Sequence, residues 1–219
     1  MRILLLNQFY KPDVAATGQL LADVGEALVA RGHEVHVICS RRRYGGGSLT
    51  PAADEVLDGV HVHRVLTTGF GRRRLAGRAA DYVSFYVSAA WRSLWLARPD
   101  VCLSLTTPPF IGLIGLMLGR LRGTRNVLWV MDLYPEIAAA YGLLRQRGRL
   151  CRLLGRINRR LYRNAEAVIS LGEVMTQRLA AAGVEAGRLH TVHNWTPGEG
   201  VTVHDRPPAK RAEAVALGS

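Results

Sequence analysis

Residues 1–40 restrict the possible folds more than any other stretch of the chain. Arg2-Ile3-Leu4-Leu5-Leu6-Asn7 is a short apolar run, the pattern of a strand buried on both faces. A loop over 8–16 carries Lys11, Pro12 and Asp13, and Thr17 is a candidate cap for the helix that follows. Leu20, Leu21, Val24, Ala27 and Leu28 share one face of that helix, and Gly32 supplies its stop. Residues 34–40, with Val35, Val37 and Ile38, resume as a strand. Strand, helix and strand in so short a span make a βαβ unit, which predicts an α/β fold opening on a parallel sheet.

The loop before the helix is where such a unit holds a ligand. A helix N-terminus presents unpaired N–H groups and partial positive charge, which suits an anion. Gly18 lacks a Cβ and would let a phosphate or sugar approach the backbone; the competing reading is a glycine that only solves a turn. A dinucleotide site would need Gly-x-Gly-x-x-Gly here. The loop has Gly18 alone, which disfavours a nicotinamide enzyme.

With 219 residues, 48% of them hydrophobic, the chain can bury a substantial core as one domain, with or without a tail. Its formal net charge is +12, and every basic residue except Lys11 and Lys210 is arginine. Arginine grips phosphate and carboxylate in planar forks, so nucleic acid, anionic lipid and phosphorylated substrates are all open as partners. A coding preference for arginine accounts for part of the excess. Cys39, Cys102 and Cys151 are widely spaced and odd in number, which reads as reduced thiols, with neither a disulfide framework nor a zinc site. The run after Met1 is too short for a signal peptide, and the apolar stretches at 82–96 and 110–118 are broken by Arg92 or too short to span a bilayer. The expectation is a cytoplasmic protein, soluble or peripheral on the inner face of the plasma membrane.

Further along, 41–48 is a basic, glycine-rich loop. Residues 59–65 alternate, with Val60, Val62 and Arg64 on one face and His61 and His63 on the other. The two histidines have no acidic or cysteine partner close in sequence, so a structural pair is expected and no metal site. A helix over 79–97 carries Tyr82, Phe85, Tyr86, Trp91 and Trp95, either as core against the sheet or as an interfacial membrane contact. A strand over 101–105 ends at Thr106 and Thr107, where a doubly wound sheet borders its ligand crevice, and a helix over 110–121 follows.

The strand over 126–131 runs directly into Asp132-Leu133-Tyr134-Pro135-Glu136. Asp132 sits at a strand tip, the position of a reacting or orienting carboxylate; the alternative is a cap for the next helix. No acid lies between Glu136 and Glu166, a span that holds Arg149, Arg152, Arg156 and Arg160 among other arginines. Leu150, Leu153, Leu154, Ile157 and Leu161 share a face there, giving a basic amphipathic helix. Either the apolar face packs on the sheet with the arginines merely exposed, or the arginines meet anionic headgroups or a pyrophosphate-linked lipid; the two are not exclusive. A strand over 165–171 and a helix over 172–182 bring Ser170, Gly172 and Glu173 to another strand tip, and a last strand over 189–195 ends in a polar turn with Asn194. Residues 198–219 read as linker or tail.

Residues 7–18 (Asn-Gln-Phe-Tyr-Lys-Pro-Asp-Val-Ala-Ala-Thr-Gly), Arg31-Gly32-His33-Glu34-Val35 and Val37-Ile38-Cys39-Ser40 resemble the opening of the family-4 retaining glycosyltransferases. Asp132-Leu133-Tyr134-Pro135-Glu136 is similar to the Asp-Leu-Trp-Pro-Glu of the branch that builds bacterial capsule, O-antigen and colanic-acid polysaccharides, and His193-Asn194-Trp195 resembles that branch's Pro-Asn-Trp. The resemblance implies a GT-B architecture of two Rossmann-like domains, of which 1–197 would be the N-terminal, acceptor-side domain and 198–219 a linker. The donor-binding domain, with its paired glutamates, would be absent; Glu166 and Glu173 have the wrong spacing and place to serve.

By position, the resemblance puts Gly18 and Thr17 beside the donor phosphate or transferred sugar and Asp132 in the cleft. Where many members have His-Asp, this chain has Met131-Asp132, a departure that weakens the case for a catalytic histidine and for carrying the family's role over to Asp132. Together with the strand tips, the candidate site comprises Asp132 as the catalytic group and Thr17, Gly18, Thr107, Ser170, Glu173 and Asn194 as substrate contacts. The implied partners are a nucleotide-sugar co-substrate, a lipid-linked saccharide acceptor and an anionic membrane surface touched by Arg149, Arg152, Arg156 and Arg160, with no metal, no other cofactor and no nucleic acid. The rival reading is a non-catalytic domain: a truncated product, or a subunit that binds acceptor and membrane while a separate chain supplies the donor site.

Overall fold

The apolar runs pair as strands of one sheet in a computed structural model that describes residues 1–42, 52–70, 75–140, 142 and 148–195. β1 (Arg2–Leu6), α1 (Ala16–Ala30) and β2 (Glu34–Ser40) form the opening βαβ unit. A hairpin of β3 (Asp54–Leu57) and β4 (Val60–Val65) follows, then α2 (Leu75–Trp95), β5 (Val101–Leu105), α3 (Gly112–Arg122) and β6 (Arg125–Trp129). The chain continues through a short α4 (Glu136–Ala140), α5 (Arg149–Arg163), β7 (Ala167–Ser170), α6 (Glu173–Ala181) and β8 (Leu189–Thr191).

The strand order is β3-β4-β2-β1-β5-β6-β7-β8, parallel throughout except for β3 against β4. β1 pairs with β2 on one side (Leu4 opposite His36) and with β5 on the other (Leu4 opposite Cys102). The order therefore reverses direction at β1, and a doubly wound sheet opens a crevice outside the C-terminal ends of the strands at such a reversal.

Strand parity divides the core in two. Leu5, Val35, Val37, Val62, Leu105 and Trp129 point to the face covered by α1. Leu4, Leu6, Ile38 and Val65 point to the opposite face, against Phe85 and Ala89 of α2 and Ile114 and Leu118 of α3. Leu128 and Val168 continue that second face, against Leu161 of α5 and Leu179 of α6. Among the described residues helices cover both faces, but unequally: α1 packs on one, and α2, α3, α5 and α6 on the other.

β3 had no counterpart in the sequence reading. It is a short edge strand closed by Asp58 (φ 51) and Gly59 (φ 80), a two-residue turn with both central residues left-handed. Arg64 does share the buried face of Val60 and Val62; its guanidinium pairs with Glu55 and donates to the Lys11 carbonyl beneath the loop after β1. On the other face of β4, His63 Nε2 lies 3.0 Å from His36 Nδ1, and His63 Nδ1 lies 2.5 Å from Asp54 Oδ1, which also pairs with Arg92 of α2. Among the described residues no group of three or more His, Cys, Asp or Glu could hold a metal.

Helix bounds also differ. α1 begins at Ala16, with Ala15 as its N-cap and no side-chain cap bond, so Thr17 lies in the first turn and is not the cap. Asp13 Oδ1 instead accepts from the Ala15 N–H at 3.2 Å. The aromatic helix runs Leu75–Trp95, four residues earlier at its start than 79, because Leu75-Ala76-Gly77-Arg78 joins it. The last strand stops at Thr191, and 192–195 continue as irregular chain along the sheet edge. Residues 43–48 of the basic loop, residues 71–74, and the tail predicted over 198–219 lie outside the described residues.

Candidate functional site

The C-terminal ends of β1, β5, β6, β7 and β8 are knit into one edge by backbone and side-chain hydrogen bonds. Gln8 N donates to Thr107 O at 2.9 Å, joining the loops after β1 and β5 where the strand order reverses. Thr106 Oγ1 accepts from the N–H groups of Met131 (2.9 Å) and Asp132 (3.1 Å), fixing the tip of β6 to the tip of β5. Val192 N donates to Ser170 O at 2.9 Å, and His193 Nδ1 donates to Leu171 O at 2.9 Å.

The loop after β1 is anchored at several points. Asn7 is fully buried, and its amide donates to Phe9 O (2.7 Å) and Thr17 Oγ1 (3.3 Å). Tyr10 is buried in the core under α1, and Lys11 pairs with Glu26 and Asp58. Gly18 serves this packing. A Cβ there would lie 3.1 Å from the Phe9 carbonyl carbon and 3.2 Å from the Tyr10 nitrogen. The close approach that Gly18 permits is therefore that of the chain's own loop, which corrects the expectation of direct phosphate contact at this residue. Thr17, half-exposed beside it, remains at the edge.

Asp132 is half-buried at the tip of β6, and its carboxylate has no hydrogen bond or ion pair among the described residues; it caps no helix there. Burial raises its pKa above the usual carboxylate range, with no cation to oppose the shift. A strand spacing of about 4.8 Å puts the tip of β6 roughly 10 Å from that of β1, with Thr107 between them. Glu173 and Asn194 are exposed on the far side of Asp132, at the ends of β7 and β8. Ser170 does not face the edge. It is fully buried, and its hydroxyl sits 2.6 Å from Thr176 Oγ1 and 3.3 Å from Thr191 Oγ1. Its hydrogen-bonding capacity is used internally, so the structure removes it from the substrate contacts.

Over residues 16–195 the chain matches the glycosyl transferase 4-like domain. It belongs to that family. It is 27% identical over 223 residues to the GDP-mannose-dependent alpha-mannosyltransferase of Mycolicibacterium smegmatis, covering 97% of this chain and 51% of the relative. Sucrose-phosphate synthase from Thermosynechococcus elongatus has a similar fold (TM-score 0.66, 14% identity, 90% of this chain and 48% of that one). So has Anabaena HepE, solved in complex with UDP-glucose (TM-score 0.53, 16% identity, 89% of this chain and 44% of that one). The chain thus spans about half the length of these relatives.

Beside Asp132, this glycosyl transferase 4-like domain carries an aromatic group that its sequence did not announce. The Tyr86 hydroxyl donates to Pro109 O, and Arg78 donates to the Tyr82 hydroxyl at 3.3 Å. Tyr134, half-buried, has its pKa raised by burial and by the neighbouring Asp132 and Tyr82. Helical spacing places Arg78, Tyr82 and Tyr86 on one face, but only the fold shows that this face meets the β5 and β6 tips. Behind the Asp132 turn, a cavity of about 370 Å³ is lined by Leu133, Tyr134, Glu136, Asn158, Arg159 and Tyr162, among others. Arg149, Arg152, Arg156 and Arg160 are exposed along α5, on the four-helix side.

Proposed function

We propose that this chain is the acceptor-side domain of a glycosyltransferase. It would move a sugar from a nucleotide-sugar to a lipid-linked saccharide during synthesis of a bacterial surface polysaccharide, at the cytoplasmic face of an anionic membrane. The observation that carries the reading is an unpaired, half-buried carboxylate, Asp132, at the reversal-point edge of a glycosyl transferase 4-like domain. In the transfer, the bond from the sugar anomeric carbon to the donor phosphate breaks and a bond to the acceptor hydroxyl oxygen forms. The nucleoside diphosphate leaves, and the acceptor proton passes to a leaving phosphate oxygen. Asp132 orients the acceptor hydroxyl or the sugar, and the N-terminal end of α1, near Thr17, lends positive potential to the departing phosphate. Thr107 lies between these two points, and Glu173 and Asn194 extend the edge toward the rest of the acceptor. The nucleotide-sugar is a co-substrate, and no other cofactor is invoked.

The donor itself is held mainly by a partner lobe outside residues 1–219, an assignment supported by the half-length match to the relatives. Calorimetric titration of the purified chain tests this. Saturable binding of a short-chain polyprenyl-diphosphate saccharide, with no binding of UDP- or GDP-sugars, is the expected result. Micromolar affinity for a nucleotide-sugar by this chain alone would relocate the donor site, and failure to bind any saccharide acceptor would leave a domain without the proposed role.

A further inference from the structure

The two sides of the molecule differ in what they show to solvent. On the α1 side, the large apolar residues of that helix are all buried or packed against the sheet. On the four-helix side they are not. Val83 (59% exposed), Val87 (65%), Trp91 (63%) and Trp95 (70%) recur every fourth residue along α2. At 1.5 Å per residue this stripe is about 18 Å long, and the Trp91 and Trp95 ring centroids lie 5.6 Å apart. Leu113 and Leu121 of α3 and Leu150 and Leu153 of α5 are exposed on the same layer. Scattered apolar side chains on a surface need no explanation, but four in a row down one helix face do.

Charge on this layer is equally one-sided. α2, α3 and α5 together carry ten arginines and a single acid, Asp81. Asp81 is occupied by the Thr68 hydroxyl and the Phe70 N–H at the start of α2. The six arginines of α5 make no ion pair among the described residues. Arg122, at the end of α3, reaches back to the Leu94 and Leu96 carbonyls and so stands beside the tryptophan end of the stripe. A second copy docked through this face would set one arginine array against another. A surface that is both apolar at shallow depth and negative at its boundary meets both features. Indole rings favour the headgroup level, where their apolar body and N–H are both satisfied, and arginines favour anionic headgroups.

We infer that the α2–α3–α5 layer is the face on which this domain lies against an anionic bilayer, with Trp91 and Trp95 seated among the headgroups and the α5 arginines beside them. The inference deepens the lipid-linked acceptor reading, on which its biological purpose rests, by naming the surface on which the domain meets the membrane. No helix among the described residues is long and apolar enough to cross a membrane, so the contact is interfacial.

Vesicle co-sedimentation of the chain, with W91S/W95S and R152E/R156E variants, tests the assignment. The expected result is binding to vesicles containing phosphatidylglycerol and weak binding to pure phosphatidylcholine. W91S/W95S should lose at least ~10-fold in affinity while keeping the wild-type melting curve, since both rings are exposed, and R152E/R156E should lose a comparable factor. Brominated lipid should quench the wild-type tryptophan emission and leave that of W91S/W95S largely untouched. Unchanged vesicle affinity in W91S/W95S would overturn the inference while leaving the acceptor reading intact. Absence of vesicle binding, with a dimer in light scattering that W91S/W95S dissolves, would overturn it in favour of a self-interface. Binding of a soluble short-chain acceptor is measured separately, so failure of the lipid contact and failure of the acceptor role are told apart.

Discussion

Asp132 and Gly18 show how differently two residues that look alike in a motif can be used. Asp132 is held half-buried with no partner, and its charged form bears a desolvation cost. Because its pKa is raised on folding, its contribution favours the fold below the ordinary carboxylate range and is lost as pH rises through the folded value. D132N should therefore melt no lower than wild type at pH 7 while transfer by the assembled enzyme falls ~10²-fold or more. Thermal melting and radiolabelled sugar transfer check the two halves; a large loss of stability with activity retained would make Asp132 structural. At Gly18, an added methyl meets backbone atoms that no rotamer change can move aside. G18A should lose about 1–3 kcal/mol in urea unfolding, by displacing the Phe9–Tyr10 segment. Asp132 was legible in the sequence because a carboxylate ending an apolar strand has one obvious place to go. The role of Gly18 was not, since the segment packed on it comes from a loop without periodicity. Ser170 could have been read correctly from parity, since it shares the side of Val168 and points into the core.

At the scale of elements, the apolar strands and the amphipathic α1 were readable from period alone, while the β3–β4 hairpin was missed although Asp58-Gly59 signals it. Residues 54–57 lack the alternation that would have marked a strand, because an edge strand buries so little. A Cβ at Gly59 would lie 2.7 Å from Val29 Cγ1, in a backbone region that side chains already disfavour. G59A should cost roughly 1–3 kcal/mol, seen as a lower urea midpoint. The polar contacts beside this hairpin give the domain an acid-labile edge. Burial depresses the pKa of His63, so its contribution to stability is complete above its ordinary value near 6.5 and declines as pH falls below it. Glu34, hydrogen-bonded to Arg2 and His36, is held down to about 2, and its contribution is present above the ordinary carboxylate range and lost as pH falls toward that value. Melting temperature should thus fall in two stages on acidification, and H63Q should flatten the upper stage. A wild-type melting temperature unchanged between pH 8 and pH 5 would contradict this reading.

The whole molecule is organised by the reversal of strand order at β1, which places the candidate chemistry on one edge, and by the unequal helix cover, which leaves one broad face arginine-rich and partly apolar. One further contact sets how anything joined to this domain must begin. Trp195, the last described residue, stacks on Trp129 (5.6 Å, 22°), and its indole N–H donates to Asp23 of α1 at 2.9 Å. The chain is thus latched to the opposite side of the sheet from the arginine layer before residue 196. Near-parallel indoles this close couple their transitions, so W195F should remove a near-230 nm couplet from the circular dichroism spectrum without lowering the melting temperature by more than a few degrees. Trp195 thereby fixes where the chain leaves this sheet: beside the end of β6, over α1, with the arginine layer on the other side.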